Sequence, residues 1–299
     1  MSRRLIGPAV AGLLIALSAG SLTAQTMRKV EYRAALDGRG NLRIWNMSGS
    51  IRVTGWDKDS VAVSGAVPAD QRFGCGGGAA GVKCAVDLAA RYDGIEPGST
   101  LMFMVPRRIQ LWVKSSSADI LVNNFEGDLE AYSVSGRIRV EGRVQTLAVE
   151  TMAGAVDVPA SSVTLRAKTA GGPISITGDV EDAQVRSVTG NIAISHSRVQ
   201  RGSFESISGN TIWRGTVLPG AGLEFGSHSG TIELRLSPAT GGDIAVSTFA
   251  GSVKSEFGPA TFVRARDLKG RELQVALPGK TDARITIRNF KGSTLLLKQ

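Results

Sequence analysis

One pattern constrains this chain more than any other: a small residue and a glycine, followed two and four places later by branched aliphatics. Ser135-Gly136 leads to Ile138 and Val140, Ala153-Gly154 to Val156 and Val158, and Gly171-Gly172 to Ile174 and Ile176. Thr189-Gly190 leads to Ile192 and Ile194, and Ser229-Gly230 to Ile232 and Leu234. Gly209 and Gly251 hold the same place with weaker followers, and Ala118 starts the series with alanine for glycine. The intervals from 118 to 251 are 18, 18, 18, 18, 19, 21 and 21 residues. A steady period near twenty is the mark of stacked repeats, in which each unit buries its apolar face only against its neighbours.

Within each unit apolar and polar residues alternate, which is the two-residue period of a strand with one buried face. A second alternating run precedes each turn: Leu147 and Val149, Leu165 and Ala167, Val185, Phe204, Leu223 and Phe225, Ile244 and Val246. Two short strands per unit, joined by a turn that wants glycine, predict an all-β, single-domain parallel β-solenoid with coils of 18–21 residues. The competing reading is an antiparallel sandwich or barrel, which also places short strands between regular turns. The expected turn glycines are Gly49, Gly136, Gly154, Gly172, Gly190, Gly209, Gly230 and Gly251. The spacing continues through Gly270 and Gly292, whose turns Leu268-Lys269-Gly270 and Phe290-Lys291-Gly292 read as C-terminal capping coils.

Residues 1–24 read as a secretory signal: Arg3 and Arg4, an apolar stretch from Leu5 to Leu17, then small residues to Ala24. Cleavage is expected after Ala24, with Gly20 as the competitor, and no later stretch is apolar enough to cross a membrane as a helix. The expected organisation is a first coil with an insertion over residues 25–104, then repeats and a cap over 105–299, in one continuous domain. Export makes a disulfide the natural reading of Cys75 and Cys84, which flank a glycine-rich loop. A formal charge of +9 favours polyanionic neighbours such as anionic polysaccharide or other envelope components. The basic residues are scattered, with local density only at Arg107-Arg108 and from Arg264 to Arg271, so nucleic acid is not an expected partner.

Chemistry is sparse in the pattern. A glycosidase needs two carboxyl groups about 5 to 9.5 Å apart, yet the outward Asp157 has serine, alanine and asparagine at equivalent positions. Glu181-Asp182 is the adjacent acidic pair of the repeat region and reads as a loop. His196 and His228 occupy different repeat positions, and no nucleophile elbow surrounds the neighbouring serines. Of the four tryptophans, Trp45, Trp56 and Trp112 precede the repeats, while Trp213 fills a slot that other units give to an inward aliphatic. No cofactor or metal is expected.

The segments Leu42-Arg43-Ile44, Met47-Ser48-Gly49-Ser50-Ile51-Arg52-Val53, Gly55-Trp56-Asp57 and Asp59-Ser60-Val61-Ala62-Val63, followed by Val105-Pro106 and the repeated turns, resemble the bacterial "putative adhesin" family. The resemblance spans residues 40–299 and implies a β-solenoid and an envelope setting, with no catalytic residues to carry over. The chain departs from the family pattern at Ala118 and where Arg137, Ala155 and Asn191 replace an aspartate after the turn. The expected function is a non-enzymatic exported protein of the periplasm or cell surface, adhesin-like or scaffolding. The alternatives are a polysaccharide-binding or polysaccharide-cleaving protein, which aligned aromatics or carboxylates in a groove would favour, and self-association through open coil ends.

Overall fold

The alternation of apolar and polar residues makes strands throughout the computed structural model, which describes residues 26–87, 98–258, 261–263 and 270–299. The expected secretory leader, Leu268, Lys269 and most of the basic stretch from Arg264 lie outside these residues. Among the described residues the regular structure is entirely β. The first strands are β1 (Met27–Ala35), β2 (Asn41–Asn46), β3 (Gly49–Trp56), β4 (Ser60–Pro68), β5 (Arg72–Gly78), β6 (Gly81–Asp87), β7 (Ser99–Pro106) and β8 (Gln110–Ser115). The repeats supply β9 (Asp119–Phe125), β10 (Asp128–Ser133), β11 (Ile138–Thr151), β12 (Val156–Val158), β13 (Ser161–Thr169), β14 (Ile174–Ile176), β15 (Val180–Ser187) and β16 (Ile192–Ser206). The last are β17 (Thr211–Ser227), β18 (Ile232–Leu236), β19 (Gly241–Thr248), β20 (Ser252–Ser255), β21 (Thr261–Val263), β22 (Arg271–Pro278), β23 (Ala283–Asn289) and β24 (Ser293–Lys298).

The 18-residue interval appears as the register of parallel ladders: Leu147 pairs with Leu165 and Leu165 with Ala183, while Val156 pairs with Ile174 and Ile174 with Ile192. Every inward aliphatic named above is buried. The open solenoid of uniform coils is nevertheless not what forms. Strands β11 and β16 run unbroken round a corner and take part in both ladders, so the sheet closes through β11, β12, β14, β16, β15, β13 and back to β11. The result is a six-stranded parallel β-barrel with the other strands attached. The physical reason lies in two bulges. Gly142 in β11 (φ 105°) and His196 in β16 (φ 60°) take left-handed backbone angles where the register shifts, which bends each strand without ending it.

The attached strands break the expected coil order at both ends. Of the C-terminal strands, β22 closes the end of the ladder beside β19, but β23 and β24 are inserted: β23 lies between β17 and β19, and β24 between β18 and β20. Gly292 therefore stands between Gly230 and Gly251, although Gly251 follows Gly230 in the sequence pattern. Antiparallel pairing, absent from the expected solenoid, joins β1 to β4, β4 to β7, β5 to β6 and β19 to β22. At the N-terminal end β3 pairs directly with β9 and β2 with β8. The hairpin β5–β6 extends the face beside β2, and Cys75 and Cys84 sit opposite each other in it as a disulfide. Closing such a short loop restricts the unfolded chain by about 2–3 kcal/mol.

The turns explain the glycines. A Cβ on Gly154, Gly172, Gly190, Gly209 or Gly230 would overlap the carbonyl oxygen of the preceding glycine in the stack. None of the five has a positive φ, so the requirement is close approach of one turn to the next. Gly49 differs, combining φ of 98° with a Cβ position blocked by Ser99. A second element of the turn is a buried Ser, Thr or Asn three residues before the glycine. Its side-chain oxygen accepts the glycine N–H, as Thr169 does from Gly172 and Asn289 from Gly292, both at 2.9 Å.

Candidate functional site

Parallel pairing in constant register sets equivalent residues side by side, about 4.8 Å apart. On the face that runs from β2 through β8, β10, β11 and β13, one outward row reads Trp45, Lys114, Tyr132, Glu150, Lys168. The adjoining row reads Arg43, Trp112, Glu130, Ala148, Arg166. Two of the tryptophans that precede the repeats in sequence are thus brought into line with a tyrosine from the repeats.

The Lys114 ammonium lies between two rings, 5.5 Å from the centre of Trp45 and 5.4 Å from that of Tyr132. At this range a cation is held over the negative face of an aromatic ring and in turn holds the ring in place. Ala148 projects little from the sheet, and the dip above it is a hollow of about 320 Å³. Trp112 and Tyr132 form one wall, Arg166 and Lys168 the other, with Glu130 and Glu150 on the rim. A second hollow of about 660 Å³ shares Trp112, Glu130, Ala148 and Arg166 and continues to Arg43 and Gln110. An aromatic wall facing mixed charges suits a ligand with one apolar face and polar edges.

A larger hollow, about 1100 Å³, runs along another edge past Glu126, Asp128, Asp179 and Glu181. Glu126, Asp179 and Glu181 are each paired with an arginine. The Arg198 guanidinium grips Asp179 at 2.7 and 3.0 Å, and this side-chain hydrogen bonding, outweighing partial burial, holds the carboxyl below its ordinary range. Arg198 is itself raised by Asp179. Glu126 is lowered likewise, first by its hydrogen bond from Arg108 at 2.9 Å and further by Arg107. Both groups are held ionised, the opposite of what a general acid needs.

The other sequence candidates disperse. Glu181 and Asp182 lie in β15 rather than in a loop, and Arg201 reaches both, at 3.8 and 3.3 Å. His196 serves its bulge, whereas His228 is exposed and stacks on Phe290 at 5.0 Å. Asp157 meets Arg137, which directly precedes β11, at 3.6 Å. The Trp56 indole donates to the Ser60 carbonyl at 2.8 Å. Trp213 is fully buried between Phe204 and Phe225, so its slot is core. Among the described residues no three His, Cys, Asp or Glu side chains gather as metal ligands.

The fold has a solved counterpart. A crystal structure from Parabacteroides distasonis, described as a "putative lipid binding protein", matches with a TM-score of 0.51 at 11% identity over 90% of this chain and 96% of that one. A "putative adhesin" from Bacteroides fragilis aligns at 10% identity over 90% and 97% of the two chains, with a TM-score of 0.45. A "putative cell adhesion protein" from Clostridium sporogenes aligns at 8% identity over 91% and 100%, with a TM-score of 0.28. No family model matches the chain, and no curated protein matches its sequence. At such identities the likeness concerns the fold, and the first of the three carries it.

The sequence alone missed the aromatic face, with Trp112 in the row beside Trp45 and Tyr132, because the three are separated by intervals of 67 and 20 residues. The pairing of β2 with β8 across the intervening excursion is what aligns them.

Proposed function

We propose that this chain is a non-enzymatic, exported protein of the cell envelope whose adhesin-like role rests on holding acidic polysaccharide against the aromatic face. The observation that carries the reading is the alignment of Trp45, Lys114, Tyr132 and Trp112 beside Arg166 and Lys168. The Trp112 ring would take the apolar face of a sugar, Glu130 and Glu150 would accept its hydroxyls, and Arg166 with Lys168 would meet its acidic group. The leader and the net charge of +9 support an envelope partner of this kind. No helix among the described residues is long and apolar enough to cross a membrane.

A screen of the purified protein on a glycan array, followed by calorimetry with the best acidic ligand, tests this. Trp112→Ala is expected to weaken binding about 30-fold, the effect of losing a buried aromatic anchor worth about 2 kcal/mol. A blank array, or a correctly folded Trp112→Ala protein that binds as well as the wild type, would overturn the reading. Self-association is a second reading, favoured by strands β1 and β20, each of which pairs with one neighbour among the described residues. Light scattering across concentration decides it.

A further inference from the structure

The corner between the two ladders carries a feature that neither stacking nor the aromatic face requires. Each turn places one residue, two before the glycine, on the outside. Val134, Met152, Val188, Ile207, Phe290 and Phe249 occupy this place in successive turns, with Ser116, Ala170 and His228 at the remaining steps. The turns are tied by backbone hydrogen bonds, such as Met152 N–H to the Val134 carbonyl and Ser208 N–H to that of Val188. Rings stack along the line, His228 on Phe290 at 5.0 Å and Phe290 on Phe249 at 4.9 Å. At about 4.8 Å per step the ridge is about 40 Å long.

Five of the nine large hydrophobic side chains exposed among the described residues lie on this ridge: Met152, Val188, Ile207, Phe290 and Phe249, each 41–54% exposed. Isolated exposed hydrophobics are ordinary, but a line of them, interrupted between Met152 and Phe249 only by Ala170 and His228, marks a contact surface. The fold does not demand apolarity there, because Ser116 and His228 fill the same slot. One flank is predominantly basic. The row beside the ridge holds Lys114, Lys168, Arg186 and Arg288 against Glu150 and Glu205, and Glu205 is paired with Arg186 at 3.3 Å. Lys291 follows Phe290 directly and lies 5.9 Å from its ring centre.

We propose that this ridge seats the protein on an anionic lipid surface. A straight apolar edge enters the boundary between headgroups and acyl chains, and the basic residues beside it meet lipid phosphates, the combination by which peripheral proteins hold to charged bilayers. The occupant is a bilayer rather than a peptide because the apolar residues stand on a turn between two strand ladders and are themselves the projecting feature. The basic row shares Lys114 and Lys168 with the aromatic hollow, but the apolar ridge and Arg288 and Lys291 lie outside it, so substitutions there separate the two readings.

Co-sedimentation of the mature protein with phosphatidylcholine vesicles, with and without one quarter phosphatidylglycerol, tests the proposal. Binding is expected to the anionic vesicles, weakening with added salt. The double substitution Phe249→Ser/Phe290→Ser should weaken it at least tenfold, and Arg288→Gln/Lys291→Gln about threefold, with thermal midpoints and glycan binding unchanged. Three results would overturn it: no binding of the wild type to anionic vesicles, unchanged binding of the double serine variant, or a dimer in solution that the serine substitutions dissolve. The last would make the ridge an interface between copies of this chain.

Discussion

Alanine at position 172 would direct a methyl group into the neighbouring turn, overlapping the Gly154 carbonyl oxygen and standing 2.6 Å from its carbon. Neither partner can step aside cheaply. Gly172 N–H is held by the Thr169 hydroxyl at 2.9 Å, the Gly171 N–H by the Met152 carbonyl at 2.7 Å, and a Cβ on Gly190 would in turn meet Gly172. Relieving the overlap means opening this corner of the barrel by about an ångström, an overpacking cost of about 1–3 kcal/mol. Stretching one buried backbone hydrogen bond past its working length adds about 1–3 kcal/mol. The expected total is about 2–6 kcal/mol, which for a chain of this size lowers the thermal midpoint by roughly 5–25 °C.

Circular dichroism melts of Gly172→Ala and Gly222→Ala, compared in the same buffer, check this. Gly222 also lies in a strand, but nothing is within 4 Å of its Cβ position and its φ is not positive. That substitution should leave the midpoint unchanged or slightly raised, because alanine restricts the unfolded chain. If the two variants melt together, the account of the stacked glycines by close approach is wrong.

Trp213→Ala should destabilise the protein by about 3–5 kcal/mol, because it empties a fully buried site lined by Phe204 and Phe225, and denaturant titration will show it. An effect under about 1 kcal/mol would mean that the neighbouring rings collapse into the space. The folded pKa of Asp179 is depressed, so the stability its pairing with Arg198 lends is present above the ordinary value of 3.8 and is lost as pH falls through the folded value. Asp179→Asn should therefore flatten the decline of the melting midpoint between about pH 5 and about pH 3. Equal slopes for variant and wild type would show that the pair contributes nothing measurable, as many exposed ion pairs do.

Strand identity and facing were legible along most of the chain, since Leu147, Leu165, Ile174 and Ile192 alternate with polar neighbours and each is buried. The disulfide was legible from context, because two cysteines in a chain whose leader reads as secretory have few other expected roles. The hydroxyl three places before each glycine was also present in the letters, as Ser133, Thr151, Thr169 and Ser206, but its meaning needed the hydrogen bond. The ridge was visible too, once the slot at Met152, Val188 and Ile207 was known to face outward.

The glycine–aliphatic period by itself determined the spacing of neighbouring strands and the face each one buries, because both are local consequences of alternation and of one turn fitting against the next. Tertiary structure alone decided closure and order. Left-handed backbone at Gly142 and His196 carried β11 and β16 round the corner to complete a barrel, and β23 and β24 entered the ladder out of sequence. Both outcomes depend on pairings between distant strands, whose free energy comes from a shared core and ladder hydrogen bonds. The same pairings align Trp45, Trp112 and Tyr132, residues that no local pattern connects.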